Sequence, residues 1–251
     1  MAFRTIRLSF EAFGGTPALD IAVSRALLQG VADGAEPETL RLYTPATSVV
    51  FGPQDARSAG FDEAVAAARA RGFGAVMRLG GGRAAVFHEE TIAFAWARPH
   101  PAPRDSVDAR FDEVAEIMAA AFRRLGVDAR VGEVAGEYCP GRHSVNARGK
   151  TKLMGVGQRV VRRAAHVGGV IVVGGSQRIK DVLVPVYEAL GVGWDPDTTG
   201  SIQDEAPSAD YQEVLQAIRE EFGARYELET GQLSEATLAL ASDLERHHAL
   251  P

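Results

Sequence analysis

The order of strand and helix patterns predicts an α+β domain with a mostly antiparallel central sheet flanked by helices. Strand-like segments follow one another in the middle of the chain and are joined by short turns, as in hairpins. Amphipathic helical segments precede and follow them, and no Pro/Ser-rich linker, internal repeat or low-complexity segment separates the two kinds. We therefore expect one domain over residues 1–251.

The first third of the chain is predicted to hold two helices with two strands between them. Thr16 is a predicted N-cap with Pro17 at the first helical position, and an apolar face runs from there to Gly34. ETLRLYT and SVVFG are typical of strands. FDEAVAAARARGF is typical of a short Ala-rich helix that ends at Gly72.

The middle of the chain contains the strongest helix signal. GAVMRLGGGRAAVFHEETIAFAWAR first predicts two β-rich segments around a glycine cluster. After Ser106, apolar residues recur at alternating steps of four and three, which predicts a core-facing helix that stops at Gly126. Its apolar stripe consists of Val107, Phe111, Val114, Met118, Phe122 and Leu125.

The rest of the chain is predicted to form a run of strands and then helices. DARVGEVAGEYC, SVNA, KTKLMGVGQRVV and HVGGVIVVGG are consistent with adjacent antiparallel strands, with a turn at Arg148 and Gly149. The last third is predicted to be helical, with one helix capped by Ser208 and a final one by Ser234.

Composition restricts the class of protein. The 251 residues are 46% hydrophobic and 24% charged, as in ordinary globular proteins. No window approaches ~18 uninterrupted apolar residues, and the first residues alternate instead of forming a signal peptide. We therefore expect a cytoplasmic protein that does not bind membranes. A net charge of -6 gives no reason to expect nucleic-acid binding.

The charge is unevenly distributed. The segment from Tyr138 to Lys180 contains nine basic residues and no Asp or Glu. One interpretation is a basic face that attracts an acidic partner. The other is a solvated surface compensated by carboxylates from elsewhere in the chain.

Three motifs resemble known sites without meeting their requirements. A phosphate loop needs a glycine five positions before Gly149, where the chain has Ser144. DPDTTGSIQDEA resembles a calcium loop, but its twelfth position is Ala206 where a bidentate carboxylate is needed. His247 and His248 lie near the C-terminus, where solvation is expected. We therefore predict no metal site.

Two glycine-rich segments suggest a substrate site. RLGGGRAAVFH places three glycines after a strand, where backbone amides can approach a ligand; a sharp bend between strands is the alternative. KLMGVGQ has Gly155 and Gly157 at alternate positions, which leaves one strand face bare. A bare face suits a slot for an extended apolar chain, or close helix packing. Lys152 begins this strand and could direct its ammonium at a carbonyl or thiolate.

The sole cysteine is a candidate nucleophile. Cys139 precedes Pro140 and Gly141 in a predicted turn outside any apolar stripe, which favours a nucleophile over an inert core residue. A free thiol has a pKa of ~8.5, and the cationic segment around Cys139 would favour its ionised form. A hairpin would bring Lys152 back towards the thiol. His143 is an alternative acid or base, or a loop histidine without a catalytic role.

RLGGGRAAVFH together with GKTKLMGVGQ resembles the paired signatures of the lipoate-protein ligase and octanoyltransferase family, whose fold is similar to that of biotin protein ligases. The resemblance runs over most of the chain, and EYCPG is most similar to the Firmicute-type acyltransferases that act through a cysteine thioester. It implies that Cys139 is the nucleophile and that Lys152 contacts the acyl carbonyl. The signature residues expected at the substrate are Arg78, Gly80, Gly81, Gly82, His88, Gly155, Gly157 and Gln158.

The resemblance implies transfer of an octanoyl or lipoyl group, without a cofactor, from an acylated carrier to a lysine of a lipoyl domain. Acceptors would be the glycine cleavage H protein or 2-oxoacid dehydrogenase E2 subunits. The alternative is an ATP- and magnesium-dependent lipoate-protein ligase, in which Arg78 and Lys152 would hold an acyl-adenylate. Such ligases usually carry a G-R-N-D stretch where this chain has GRHS. A non-catalytic lipoate- or biotin-binding module is the third hypothesis.

Overall fold

The computed structural model describes residues 3–13 and 15–251, which contain eleven strands and seven α-helices. The strands are β1 (Thr5–Ser9), β2 (Thr39–Tyr43), β3 (Ser48–Phe51), β4 (Gly74–Met77), β5 (Ala85–Phe87), β6 (Thr91–Pro99), β7 (Ala129–Val131), β8 (Val145–Ala147), β9 (Thr151–Val161), β10 (Ala164–Val172) and β11 (Glu227–Thr230). The helices are α1 (Pro17–Asp33), α2 (Phe61–Arg69), α3 (Val107–Arg124), α4 (Ser176–Leu190), α5 (Ile202–Glu205), α6 (Tyr211–Gly223) and α7 (Glu235–Leu244).

Eight strands form the central sheet, in the order β11-β1-β2-β6-β10-β9-β8-β7. β1 runs parallel to β2 and β11, while the other five neighbouring pairs are antiparallel. The predicted α+β class and the mostly antiparallel sheet are therefore confirmed. A separate three-stranded sheet has the order β4-β3-β5, with β3 parallel to β4 and antiparallel to β5.

The central sheet separates two apolar layers. α3 and α6 pack on one face, where Val114, Met118 and Phe122 of the predicted α3 stripe are fully buried. On the opposite side, α1 packs against α7, while the small sheet packs with α2 and α4. None of the helices in the described ranges has the length and apolar character needed to cross a bilayer.

Local sequence signals account for several element ends. Thr16 caps α1 by accepting a hydrogen bond from the Leu19 N–H at 3.3 Å, and the helix ends at Gly34 with φ 76°. Arg148 and Gly149 both have positive φ, and they turn β8 back into β9 as predicted.

Three predictions were wrong in detail. The strand expected in DARVGEVAGEYC stops at Val131, and the rest of that segment is a loop. Asp210 rather than Ser208 caps α6, because Asp210 forms a reciprocal capping box with Glu213. His248 is buried instead of solvated, since its Nδ1 contacts the Met77 carbonyl oxygen at 2.8 Å.

Candidate active site

A narrow cavity lies between the central sheet and the small sheet. Its floor includes Gly155 and Gly157 of β9 and Gly168 of β10. Gly157 pairs directly with Gly168, so that part of the sheet presents only backbone. The opposing walls are apolar and come from α1 and the small sheet: Ile21, Val50, Leu79, Ala85 and Phe87. The cavity therefore has the shape and polarity of a slot for an aliphatic chain.

Cys139 lies on the wall of this cavity, in a loop rather than a strand. Its backbone is left-handed, with φ 43°, a conformation that non-glycine residues seldom adopt. The hydroxyl of Tyr187 accepts a hydrogen bond from the Cys139 N–H at 2.9 Å and donates to the Ala84 carbonyl at 2.9 Å. Tyr187 therefore ties the unusual backbone of Cys139 to the start of β5.

Two donors reach the sulfur of Cys139. The backbone N–H of Arg83 lies 3.2 Å from Sγ, and Nη1 of Arg78 lies 3.5 Å from it. Burial alone would raise the pKa of the thiol, but the charges of Arg78 and Lys152 and the Arg83 N–H outweigh burial. The pKa of Cys139 is therefore lowered, which favours the nucleophilic thiolate.

A β-bulge directs Lys152 to the cavity. Val145 pairs with Met154 but Asn146 pairs with Lys152, so β9 contains one extra residue at this point. A bulge changes the direction of neighbouring side chains. The ammonium donates to the Cys139 carbonyl at 2.8 Å, to the Tyr138 carbonyl at 3.0 Å and to Oε1 of Glu137 at 3.0 Å. Its three protons are thus all used inside the protein.

Gly82 packs directly against the sulfur. Its φ is 106°, and a Cβ at this position would lie 2.9 Å from Sγ of Cys139 and 2.8 Å from Nη1 of Arg78. Both distances are far shorter than a normal carbon contact. Only glycine therefore fits between the thiol and the guanidinium.

The structure brings most of the predicted site residues together. The cavity is lined by Arg78, Gly80, Cys139, Lys152, Gly155 and Gly157. Gly81 and Gly82 belong to the same turn without lining the cavity itself.

Three polar side chains that the sequence suggested point elsewhere. Oε1 of Gln158 accepts from Nε of Arg110 at 2.7 Å, which fixes the amide against α3. His88 is fully buried outside the cavity lining, and its Nδ1 accepts from the Glu90 N–H. Nε2 of His143 lies 3.1 Å from Asp112, and its ring stacks on Phe111 rather than approaching the thiol.

Sequence reasoning overlooked three residues around the cavity. His166 lines the cavity next to the glycine floor, and both of its ring nitrogens are buried without a hydrogen-bond partner. Burial and then Arg78 lower its pKa to about 4, so the ring is neutral near pH 7. His166 is the one histidine among the apolar residues of β10, and this position could have identified it as a candidate site residue. Tyr187 and Glu137 gave no comparable signal, because their contacts depend on the folded loop.

A sequence comparison identifies the family to which this fold and cavity belong. The lipoyl protein ligase A/B catalytic domain matches residues 16–223. The chain therefore belongs to this family, which confirms the family resemblance carried by its glycine and lysine signatures.

The individual relatives have low sequence identity to this chain. An octanoyl-[GcvH]:protein N-octanoyltransferase from Geobacillus kaustophilus is 28% identical over 170 residues, which are 68% of this chain and 60% of that protein. The match therefore spans only about three fifths of that relative's length. A lipoate-protein ligase A bound with ATP superposes with a TM-score of 0.75 at 19% identity, over 98% of this chain and 95% of the other. A bi-partite lipoate protein ligase from Thermoplasma acidophilum, described with its E2 lipoyl domain, gives 0.72 at 18% identity, over 98% and 92%. These structures confirm the fold.

Proposed function

We propose that the protein is an acyltransferase that moves an octanoyl or lipoyl group to a lysine of a lipoyl domain through a thioester on Cys139. The observation that carries this proposal is the position of the sole cysteine on the wall of an apolar slot. There the Arg78 guanidinium and the Arg83 N–H reach its sulfur and its pKa is lowered. The acyltransferase activity named for the Geobacillus relative supports the same reaction.

In the first half-reaction the Cys139 thiolate attacks the acyl carbonyl of the donor. A carbon–sulfur bond forms, the donor's bond to that carbon breaks, and the leaving group takes up a proton. The aliphatic chain is proposed to lie along the apolar walls of the cavity, because the Arg78 and Lys152 side chains lie directly over Gly157 and Gly155. The Arg78 guanidinium and the Arg83 N–H lie beside the sulfur, so they also lie beside an oxygen that becomes negative on the adjacent carbon.

In the second half-reaction the neutral amine of the acceptor lysine attacks the thioester. An amide bond forms, the carbon–sulfur bond breaks, the nitrogen releases one proton to solvent, and the thiolate of Cys139 is restored. No cofactor is required for either step. Lys152 has no free proton with which to approach the acyl oxygen, so its proposed role is to hold the cysteine loop and to favour the thiolate.

The acceptor is proposed to be an acidic lipoyl domain of a glycine cleavage H protein or an E2 subunit. Six of the nine basic residues between Tyr138 and Lys180 form ion pairs with carboxylates outside that segment. In the described part of the chain, Lys150, Arg159 and Arg162 are left for a partner. Arg159 follows Gly157 of the cavity floor by two residues along β9, which places it beside the slot.

Intact-mass measurement tests the proposal. The purified protein is incubated with an octanoylated carrier or octanoylated H protein, and we expect a hydroxylamine-labile octanoyl adduct. Cys139→Ser should carry no adduct and should transfer nothing to an acceptor lipoyl domain. Wild-type protein that stays unmodified with every donor would contradict the proposal.

The same assay with lipoate and ATP separates the other hypotheses. ATP-dependent lipoylation that survives fully in Cys139→Ser would identify a ligase, with Arg78 and Lys152 at an acyl-adenylate. The Arg78 guanidinium and the Lys152 ammonium already form hydrogen bonds with protein atoms. This favours acyl transfer over an ATP-dependent ligase. Binding of lipoate without any covalent product under either condition would identify a binding module.

A further inference from the structure

Glu137 is a buried carboxylate with an unusually complete set of partners. Its Oε1 accepts from the hydroxyl of Ser144 at 2.6 Å, from the Gly141 N–H at 3.2 Å and from the Lys152 ammonium at 3.0 Å. Its Oε2 accepts from the Val134 N–H at 3.1 Å. The residue is 3% exposed and does not line the cavity, so it does not contact a bound acyl chain.

These partners lie on both sides of the nucleophile. Val134 precedes Cys139 in the loop, while Gly141 and Ser144 follow it. One carboxylate therefore closes the loop from 134 to 144 around the cysteine. Through Lys152 it also reaches the carbonyl of Cys139 itself.

A strained backbone persists only where its surroundings over-determine it. Cys139, with φ 43°, is fixed on its N–H side by Tyr187 and on its carbonyl side by Lys152. The ammonium is 1% exposed, and Glu137 is the carboxylate with which it forms its ion pair. Without that carboxylate the cation would be buried and uncompensated, and it would not keep the same place.

We propose that Glu137 is the positioning residue of the acyl-transfer site, which keeps the sulfur of Cys139 facing the slot by closing the loop and by anchoring Lys152. This inference rests on the proposed function. It assigns Glu137 no contact with the reacting atoms.

Two reactions of the same sulfur provide the test, because Cys139 is the only cysteine in the chain. Acylation by the octanoyl thioester of N-acetylcysteamine requires the sulfur to face the slot. Alkylation by iodoacetamide requires only an accessible thiolate. In Glu137→Gln we expect the acylation rate to fall roughly 50-fold, because a displacement of the sulfur by about 1 Å has an effect of this order. The alkylation rate should change by less than about threefold.

Glu36→Gln is the matched control. Glu36 is also buried and binds one cation, Arg7, and two hydroxyls, those of Ser234 and Thr237, and none of the four lines the cavity. The Glu36→Gln substitution should lower thermal stability but keep the ratio of acylation rate to alkylation rate within about twofold of wild type. A merely structural role for Glu137 would give the two variants the same ratio.

Ser144→Ala provides a milder variant if Glu137→Gln does not fold. It removes one hydrogen bond to Glu137 without touching the cavity, and the ratio should fall about threefold. An unchanged ratio in every folded variant would overturn the role of Glu137 while leaving the thioester proposal standing. Wild-type protein that is alkylated but never acylated would instead overturn the proposed function, and this inference with it.

Discussion

Two buried carboxylates, Glu137 and Glu36, have nearly the same chemistry in different parts of the molecule. Each forms one ion pair, with Lys152 at 3.0 Å or with Arg7 at 2.7 Å, and each accepts a hydrogen bond from at least one serine hydroxyl. They differ in what the cation contacts next. Lys152 continues to the backbone of the nucleophile, whereas Arg7 continues to Thr39 and to the chain before α7.

The difference shows that burial and pairing alone do not mark a functional group. The Glu36 cluster fastens the C-terminal segment to the sheet, because Ser234 is the N-cap of α7. The Glu137 cluster fastens the loop that carries the proposed nucleophile, Cys139. We therefore expect changes in the first cluster to alter stability, and changes in the second to alter the acylation rate as well.

Replacing the two cations should give the largest contrast. Lys152→Met leaves the charge of Glu137 buried without its ion-pair partner, so we expect a loss of about 3–5 kcal/mol in unfolding free energy. The acylation rate of the folded fraction should fall roughly 10²-fold, because the Cys139 carbonyl is released. Urea denaturation and single-turnover acylation measure the two effects.

Arg7→Met is the counterpart in the other cluster. Its side chain is partly exposed, so we expect a smaller loss, about 2 kcal/mol, and an unchanged acylation rate. If Arg7→Met slowed acylation as much as Lys152→Met at equal folded fraction, the distinction between the two clusters would be lost.

A methyl group beside the sulfur should produce the next largest effect. Gly82→Ala places a carbon 2.9 Å from Sγ of Cys139, at a φ of 106° that alanine rarely adopts. We expect acylation to fall about 30-fold as the thiol and Arg78 move apart. Gly149→Ala is the matched control: its φ is also positive, at 72°, but no atom lies within 4 Å of the added carbon. It should reduce stability by about 1 kcal/mol without slowing acylation.

The Gly149→Ala control separates the backbone effect of Gly82→Ala from its steric effect. Both variants impose an unfavourable backbone conformation, and only Gly82→Ala adds a steric contact at the thiol. Equal acylation rates in the two variants would show that the close packing at Gly82 has no catalytic consequence.

The pH dependence of alkylation should report on Arg78. The guanidinium favours the charged thiolate, so its removal raises the pKa of Cys139. In Arg78→Gln the midpoint of the alkylation profile should therefore rise, with slower alkylation near pH 7 that recovers as the pH increases.

Arg83→Gln is the control for Arg78, since Arg83 reaches the sulfur through its backbone N–H and its side chain pairs with Asp55. The substitution keeps that N–H, so the midpoint should move less than in Arg78→Gln. A midpoint unchanged by loss of Arg78 would contradict the electrostatic account of the lowered pKa.

The parts of the fold that could be predicted are those set by residues close to one another in the sequence. The α1 cap at Thr16, the turn at Arg148 and Gly149 and the α3 stripe each depend on residues a few positions apart, and the structure contains all three. The alternate glycines of β9 also indicated a strand face without side chains of its own; Gly155 and Gly157 do line the cavity, but the Lys152 and Arg78 side chains lie over them.

The remaining features depend on contacts between distant residues. Residues 132–139 were predicted to continue a strand because their pattern is β-like, but they lie in a loop whose Val134 and Gly141 N–H groups donate to the Glu137 carboxylate. The direction of Lys152 depends on a bulge that is defined only by the register against β8. His248 was expected in solvent, yet its ring and backbone both contact Met77. No spacing in the sequence encodes these contacts.

Ser234→Ala should give the smallest effect of the series. The hydroxyl accepts from the Thr237 N–H at 3.1 Å and donates to Glu36, so its loss removes the α7 cap and should lower stability by about 1 kcal/mol. Acylation should be unchanged, although α7 packs on α1 and α1 contributes Ile21 to the cavity wall. Thermal unfolding and single-turnover acylation measure both quantities. A slower acylation in this variant would mean that the α7 contact sets the position of α1, and that the Glu36 cluster acts on the slot after all.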